Sequence, residues 1–78
     1  MGIWIRSQDR KQLVNAKDFY ISKRAKGYCI STGRGIDIGS YSSEEKAIKV
    51  LNDIQKTISN QINGQISYFD SVYQMPND

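Results

Sequence analysis

Residues 39–51 read GSYSSEEKAIKVL and mark the point where the sequence changes from a strand pattern to a helix pattern. Ser42 followed three residues later by Glu45 is typical of a capping box at a helix N-terminus. From Ala47 onwards, apolar residues recur every three or four positions, which predicts an amphipathic helix over about residues 43–60. We therefore place the border between strands and helix here.

Short segments rich in β-favouring residues, separated by polar or glycine-containing turns, precede this border. The predicted strands are 2–7, 13–16, 18–22, 28–32 and 36–41. After the helix, which should stop near Asn63-Gly64, we expect an extended segment over about 66–76, with a last strand at 72–75 that Pro76 ends. The chain is thus predicted to be a single α+β domain over 1–78. A meander over about 2–41 would form an antiparallel sheet of four to five strands, with one amphipathic helix packed on one face.

The predicted core contains the apolar side chains that share the inward face of each element. They are Ile3, Ile5, Leu13, Phe19, Ile21, Ile30, Ile36, Ile38, Ala47, Val50, Leu51, Ile54, Ile58 and Val72.

Length and composition limit how this domain can be stabilised. A chain of 78 residues buries a modest core. Cys29 is the single cysteine, so no disulfide can form within the chain, and the absence of histidine argues against a zinc site. We expect no cofactor and no metal, which leaves homodimer formation as the open route to extra stability. One cysteine, no secretory leader and no apolar run of about 20 residues predict a cytoplasmic protein that does not enter the membrane.

The residue types that usually carry catalysis are missing or already explained. Without histidine there is no Ser-His or Cys-His pair. Cys29 lies in the middle of a predicted strand, where a structural thiol is the expected role. Glu44 and Glu45 are accounted for by the helix start, and Gly33-Arg34-Gly35 matches a hairpin turn, being too short for a phosphate-binding loop. We therefore predict that the protein is not an enzyme.

Charge is unevenly distributed along the chain, although the formal net charge is only +3. Residues 1–34 hold eight basic and two acidic residues, whereas residues 35–78 hold three basic and six acidic ones. A basic half interleaved with aromatic residues is typical of a surface for an anionic nucleotide or nucleic acid. The candidate binding residues are Arg6, Arg10, Lys11, Lys23, Arg24, Lys26, Arg34, Tyr20 and Tyr28. The alternative interpretation is that the turns are polar because they are solvated and that the aromatic side chains belong to the core.

Several segments together resemble a family of small uncharacterised proteins encoded by phages and prophages of Gram-positive bacteria. They are Trp4–Asp9 (WIRSQD), Leu13–Asn15 (LVN), Ile38–Ala47 (IGSYSSEEKA), Val50-Leu51, Ile54-Gln55 and Tyr73–Pro76 (YQMP). The resemblance covers both ends and the helix, and it implies a phage accessory role in an infected or lysogenic bacterial host. It carries over no functional residues.

Three functions are compatible with these observations. The leading prediction is a phage-encoded binding protein that antagonises a host defence system by binding a defence protein or its nucleotide signal. The alternatives are a basic nucleic-acid-binding regulatory protein and a structural component of the phage particle.

Overall fold

The computed structural model describes residues 2–62 and 72–78, with side chains for 2–59 and 72–78. In chain order the elements are β1 (Ile3–Arg6), β2 (Leu13–Ala16), β3 (Phe19–Arg24), β4 (Gly27–Thr32), β5 (Asp37–Tyr41), α1 (Glu44–Ile62) and β6 (Val72–Gln74). The α+β class is confirmed, and the strand and helix positions follow the sequence prediction to within a few residues. The predicted helix stop at 63–64 and the extended stretch predicted before residue 72 lie outside the described residues.

The strands form two three-stranded sheets instead of the single sheet expected from the sequence. The first sheet has the order β2-β1-β6, in which β1 pairs antiparallel with β2 and parallel with β6. The second sheet is the antiparallel meander β3-β4-β5. The predicted meander breaks between β2 and β3. There the chain leaves the first sheet through Lys17 and Asp18, and the Asp18 carbonyl oxygen accepts a hydrogen bond from the backbone N–H of Gly33 (2.8 Å).

Gln8 connects the two sheets at the end of β1. Its backbone N–H donates to the carbonyl oxygen of Ile38 at 2.8 Å. Its side-chain amide donates to the Ser40 carbonyl oxygen at 3.0 Å and accepts from the Ser40 N–H at 2.9 Å. These bonds satisfy backbone groups along β5, which would otherwise be an open sheet edge.

Helix α1 packs its apolar stripe on the second sheet and begins one residue later than predicted. Ser43, not Ser42, is the N-cap, because its Oγ accepts from the backbone N–H of Lys46 at 3.2 Å. The Ser42 N–H and hydroxyl instead donate to the carboxylate of Asp78, at 3.1 and 3.2 Å. The predicted capping box with Glu45 is therefore wrong. Within the described residues, no helix is long and apolar enough to cross a membrane.

The C-terminal residues pack against the start of the helix and the end of the first sheet. Met75 is buried in the core, and its N–H donates to the Arg6 carbonyl oxygen at 3.0 Å. The Tyr41 hydroxyl donates to the Pro76 carbonyl oxygen at 2.8 Å, and burial raises the pKa of Tyr41. Gly39 makes this packing feasible, because a Cβ atom there would lie 2.9 Å from the Met75 methyl carbon and 3.0 Å from the Tyr41 ring.

The buried apolar cluster joins both sheets and the helix. It consists of Ile3, Ile5, Ile30, Ile38, Tyr41, Ala47, Val50, Ile54 and Met75. Phe19, Ile21, Ile36 and Ile58 from the predicted core are partly buried and pack against it. Two predicted core residues, Leu13 and Val72, are instead exposed. Sequence reasoning did not include Tyr41 and Met75.

Candidate binding surface on the first sheet

The outer face of the first sheet carries three of the five large apolar side chains that the described residues leave exposed. In β1, Ile3 and Ile5 point into the core, so Trp4 and Arg6 point outward. The strand register places the outward side chains of β2 and β6 beside them. We call this surface the Trp4 face, and its residues are Trp4, Arg6, Leu13, Asn15, Val72 and Gln74.

Three large exposed apolar side chains share the Trp4 face. Trp4 is 37% exposed and is paired across the sheet with Val72, which is 50% exposed. Leu13 is 52% exposed and is paired with Arg6 on the other side of β1. Single exposed apolar residues are common, but several of them on one small sheet face are typical of an interaction surface.

One cation lies on the Trp4 face, and two more belong to the loop at the end of the face where β1 and β2 are joined. Arg6 lies within the face, and Arg10 and Lys11 belong to the loop that connects the two strands. Arg10 has a φ of 67°, a left-handed conformation that side-chain-bearing residues rarely adopt. Asp9 is occupied in shaping this loop: its carboxylate accepts from the Ser7 hydroxyl at 2.6 Å and from the Lys11 N–H at 2.9 Å, and these hydrogen bonds lower the pKa of Asp9.

The outer face of the second sheet has a different composition. Arg24 on β3 forms an ion pair with Asp37 on β5 at 3.0 Å, and the same Asp37 oxygen accepts from the buried Ser31 hydroxyl at 2.6 Å. The Ser31 hydrogen bond and the Arg24 charge lower the pKa of Asp37. Among the described residues, Tyr20 is the one large apolar side chain exposed on this face, at 44%.

The predicted binding residues do not converge on one site. Arg6 lies on the Trp4 face with Arg10 and Lys11 beside it. Elsewhere, Arg24 and Tyr20 lie on the outer face of the second sheet, Lys23 on the opposite side of β3, Lys26 in the β3–β4 turn and Arg34 in the β4–β5 turn. Tyr28 is half-buried and packs against the core cluster.

Arg34 borders a separate cleft of about 550 Å³. This cleft lies between residues 14–18 and the segment 32–36, with Gly2 at one end. Lys17 of the first segment and Arg34 of the second both line it, and we call the depression the Lys17–Arg34 cleft. Lys17 is absent from the predicted binding residues, because nothing in the sequence shows that it and Arg34 border one cavity.

The sequence analysis also did not predict that the residues of the Trp4 face lie together, and the reason is physical. Alternation within β1 does indicate that Trp4 points away from Ile3 and Ile5. The exposure of Leu13 and Val72, however, depends on the register of β2 and β6 against β1, which separate segments of the chain determine.

The described side chains hold no group of three or more Asp, Glu, Cys or His residues placed to bind a metal ion. Comparison with known proteins adds nothing to this geometry, since no family model, curated protein or solved structure matches the chain. The resemblance to phage-encoded proteins stays a prediction from sequence.

Proposed function

We propose that this chain is a non-enzymatic binding protein that uses the Trp4 face to occupy a surface of another protein. The observation that carries the proposal is the exposure of Trp4, Leu13 and Val72 on the same face of the first sheet, where Trp4 is paired with Val72 and Leu13 with Arg6. Tryptophan and arginine are, together with tyrosine, the side chains most enriched among the residues that dominate binding energy at protein interfaces.

The charges around the face favour an acidic partner. Arg6, Arg10 and Lys11 lie in or beside the face, and within residues 2–62 and 72–78 none of them forms a salt bridge, the two recorded being Arg24–Asp37 and Lys46–Asp78. Asp9, the one acid of the loop, is held by internal hydrogen bonds. A partner surface with an apolar centre and an acidic rim would complement this arrangement and accelerate association.

The resemblance to phage proteins supplies the biological setting of the proposal. A small protein that binds without catalysis acts by blocking a surface, and a host defence protein is the target we propose. The surface it blocks would be one that the defence protein needs for its own activity.

Co-purification from a Gram-positive host that carries phage defence systems tests the proposal. The wild-type chain, Trp4→Ala and Tyr20→Ala are expressed with the same affinity tag, and recovered proteins are identified by mass spectrometry. We expect a defence protein to be recovered with the wild type and with Tyr20→Ala, and to be lost with Trp4→Ala.

Tyr20 is the matched control because it is an aromatic residue of similar exposure on the other sheet. Recovery of the same proteins with all three variants, or of no defence protein with the wild type, would contradict the proposal. Circular dichroism of each variant shows whether the loss reflects unfolding.

A second candidate function is single-stranded nucleic-acid binding. It is favoured by the exposed Trp4 ring, which lies on the same sheet face as Arg6. Bases stack on exposed aromatic rings, while Arg6, Arg10 and Lys11 would contact phosphates. Trp4 is the sole tryptophan, so its fluorescence reports this interaction directly. Quenching by a single-stranded oligonucleotide that weakens steeply as salt rises would support this function, and unchanged emission at low salt would exclude it.

A further inference from the structure

The Lys17–Arg34 cleft combines an apolar wall with a charged rim. Val14 and Ile36 contribute apolar side chains to this wall, and both are partly buried and pack against the core cluster. The hydrogen bond from the Gly33 N–H to the Asp18 carbonyl oxygen (2.8 Å) ties the two sides of the cleft together. A Cβ atom at Gly33 would lie 3.0 Å from the Asp18 Cβ, so the two segments are in close contact at this point. The cleft is therefore framed by two segments that are fixed to each other.

The rim presents two cations and one carboxylate. Lys17 and Arg34 come from the two segments that line the cleft, both are exposed, and neither forms a salt bridge within the described part of the chain. Asp18, which also lines the cleft, is exposed as well. Two cations facing one opening favour an anionic group with several acceptor oxygens, and a guanidinium is well suited to a phosphate.

We propose that the Lys17–Arg34 cleft binds a nucleotide. The phosphate lies between Lys17 and Arg34, and the base lies on the apolar wall formed by Val14 and Ile36. The Asp18 carboxylate accepts a hydrogen bond from a ribose hydroxyl or a base amino group. A volume of about 550 Å³ lies within the usual range of small-molecule sites and suits one nucleotide unit.

The cleft and the Trp4 face meet at Asn15, but the side chains on which each proposal depends are different: Lys17 and Arg34 for the cleft, and Trp4, Leu13 and Val72 for the face. The nucleotide site goes beyond the proposed function by giving the chain a small-molecule ligand as well as a protein partner. Each can therefore fail without the other.

NMR titration of the ¹⁵N-labelled chain with AMP, GMP, CMP and UMP tests the inference, with adenosine and inorganic phosphate as the two halves of the ligand. We expect at least one nucleotide to shift the backbone amides of 14–18 and 32–36. Adenosine and phosphate alone should bind at least about tenfold more weakly, because each makes only half of the contacts. Absence of shifts in both segments with all four nucleotides would overturn the proposal.

Matched variants locate the phosphate. Lys17→Gln and Arg34→Gln should each weaken nucleotide binding by about fivefold or more, whereas Lys26→Gln and Arg10→Gln, which remove cations away from the cleft, should change it by less than about twofold. Equal weakening by all four variants would show non-specific charge attraction and overturn the proposal. Trp4→Ala should bind the nucleotide as the wild type does, which separates this site from the proposed protein interface.

Discussion

The two sheets of this protein have outer faces of opposite character. On the second sheet, Arg24, Asp37 and Ser31 are joined in one hydrogen-bonded group, so the charges of that face are satisfied within the chain. On the first sheet, Trp4, Leu13 and Val72 leave apolar surface exposed around Arg6. Both faces belong to three-stranded sheets whose other side is packed against the same core.

The two faces therefore contribute differently to the stability of the fold. A face whose polar groups bond to each other needs nothing further from solvent or a partner. Exposed apolar side chains gain free energy when a partner removes them from water, about 25 cal/mol for each Å² buried. Binding of a partner to the Trp4 face therefore removes more apolar surface from water than binding to the outer face of the second sheet.

The largest effect is expected where the first sheet faces inward. Ile5 is fully buried, so Ile5→Ala should lower the free energy of unfolding by about 3 kcal/mol, through lost burial and the cavity left behind. Leu13→Ala, on the outer face of the same sheet, should lower it by less than about 0.5 kcal/mol. Urea denaturation of both variants measures the difference. A large loss for Leu13→Ala would mean that the Trp4 face is part of the core.

Trp4 should dominate binding of the partner. Trp4→Ala is expected to weaken the affinity about 30-fold, the effect of losing one dominant interface residue, while Tyr20→Ala changes it by less than about twofold. Isothermal titration with the co-purified partner provides both values. Similar losses for the two variants would show that the outer faces do not differ in function.

The two arginines provide a weaker comparison. Arg6→Gln should reduce the affinity for the partner about fivefold, because a charge near the centre of the interface is lost. Arg24→Gln removes an arginine that is already paired with Asp37, so it should leave the affinity unchanged. Association rates measured by surface plasmon resonance at low and high salt should differ from the wild type only for Arg6→Gln.

The smallest effect concerns the pH dependence of the second sheet. The pKa of Asp37 is lowered in the folded protein, so its carboxylate stabilises the fold above the ordinary carboxyl pKa of about 4. That contribution is lost as the pH falls through the lower folded pKa. Asp37→Asn should lower Tm by a few degrees or less at neutral pH, and its Tm should converge with that of the wild type in acid. A Tm difference that is unchanged across this pH range would exclude the ionised pair as its cause.

Local patterns in the sequence predicted the α+β class and the positions of the strands and the helix. The alternation of inward and outward residues in Ile3–Ile5 and the three-to-four-residue spacing of apolar residues from Ala47 to Ile58 are local patterns. They can be recognised from residues that are close together in the sequence. The errors occur where distant segments meet. Asp78 bonds to Ser42 and leaves the cap to Ser43, and Met75 enters the core beside Gly39.

The candidate sites were less predictable than the fold. Net charge along the chain indicated a basic half, yet the strands distribute its cations over several surfaces. What defines the Trp4 face is the register of β2 and β6 on β1. What defines the Lys17–Arg34 cleft is the break of the meander after β2. Both features arise from contacts between segments that no local pattern specifies.

Site-specific photo-crosslinking in the bacterial host shows directly which sheet face contacts a partner. A photoreactive phenylalanine analogue is placed at position 4, 13 or 72 on the Trp4 face, and at position 20 or 22 on the outer face of the second sheet as a control. We predict one discrete heavier adduct from positions 4, 13 and 72 that contains a host protein, and none from positions 20 and 22. An adduct of twice the chain mass from the same three positions would instead show that the face pairs two copies. Equal crosslinking from both faces, or crosslinking only from positions 20 and 22, would show that the Trp4 face is not the binding surface.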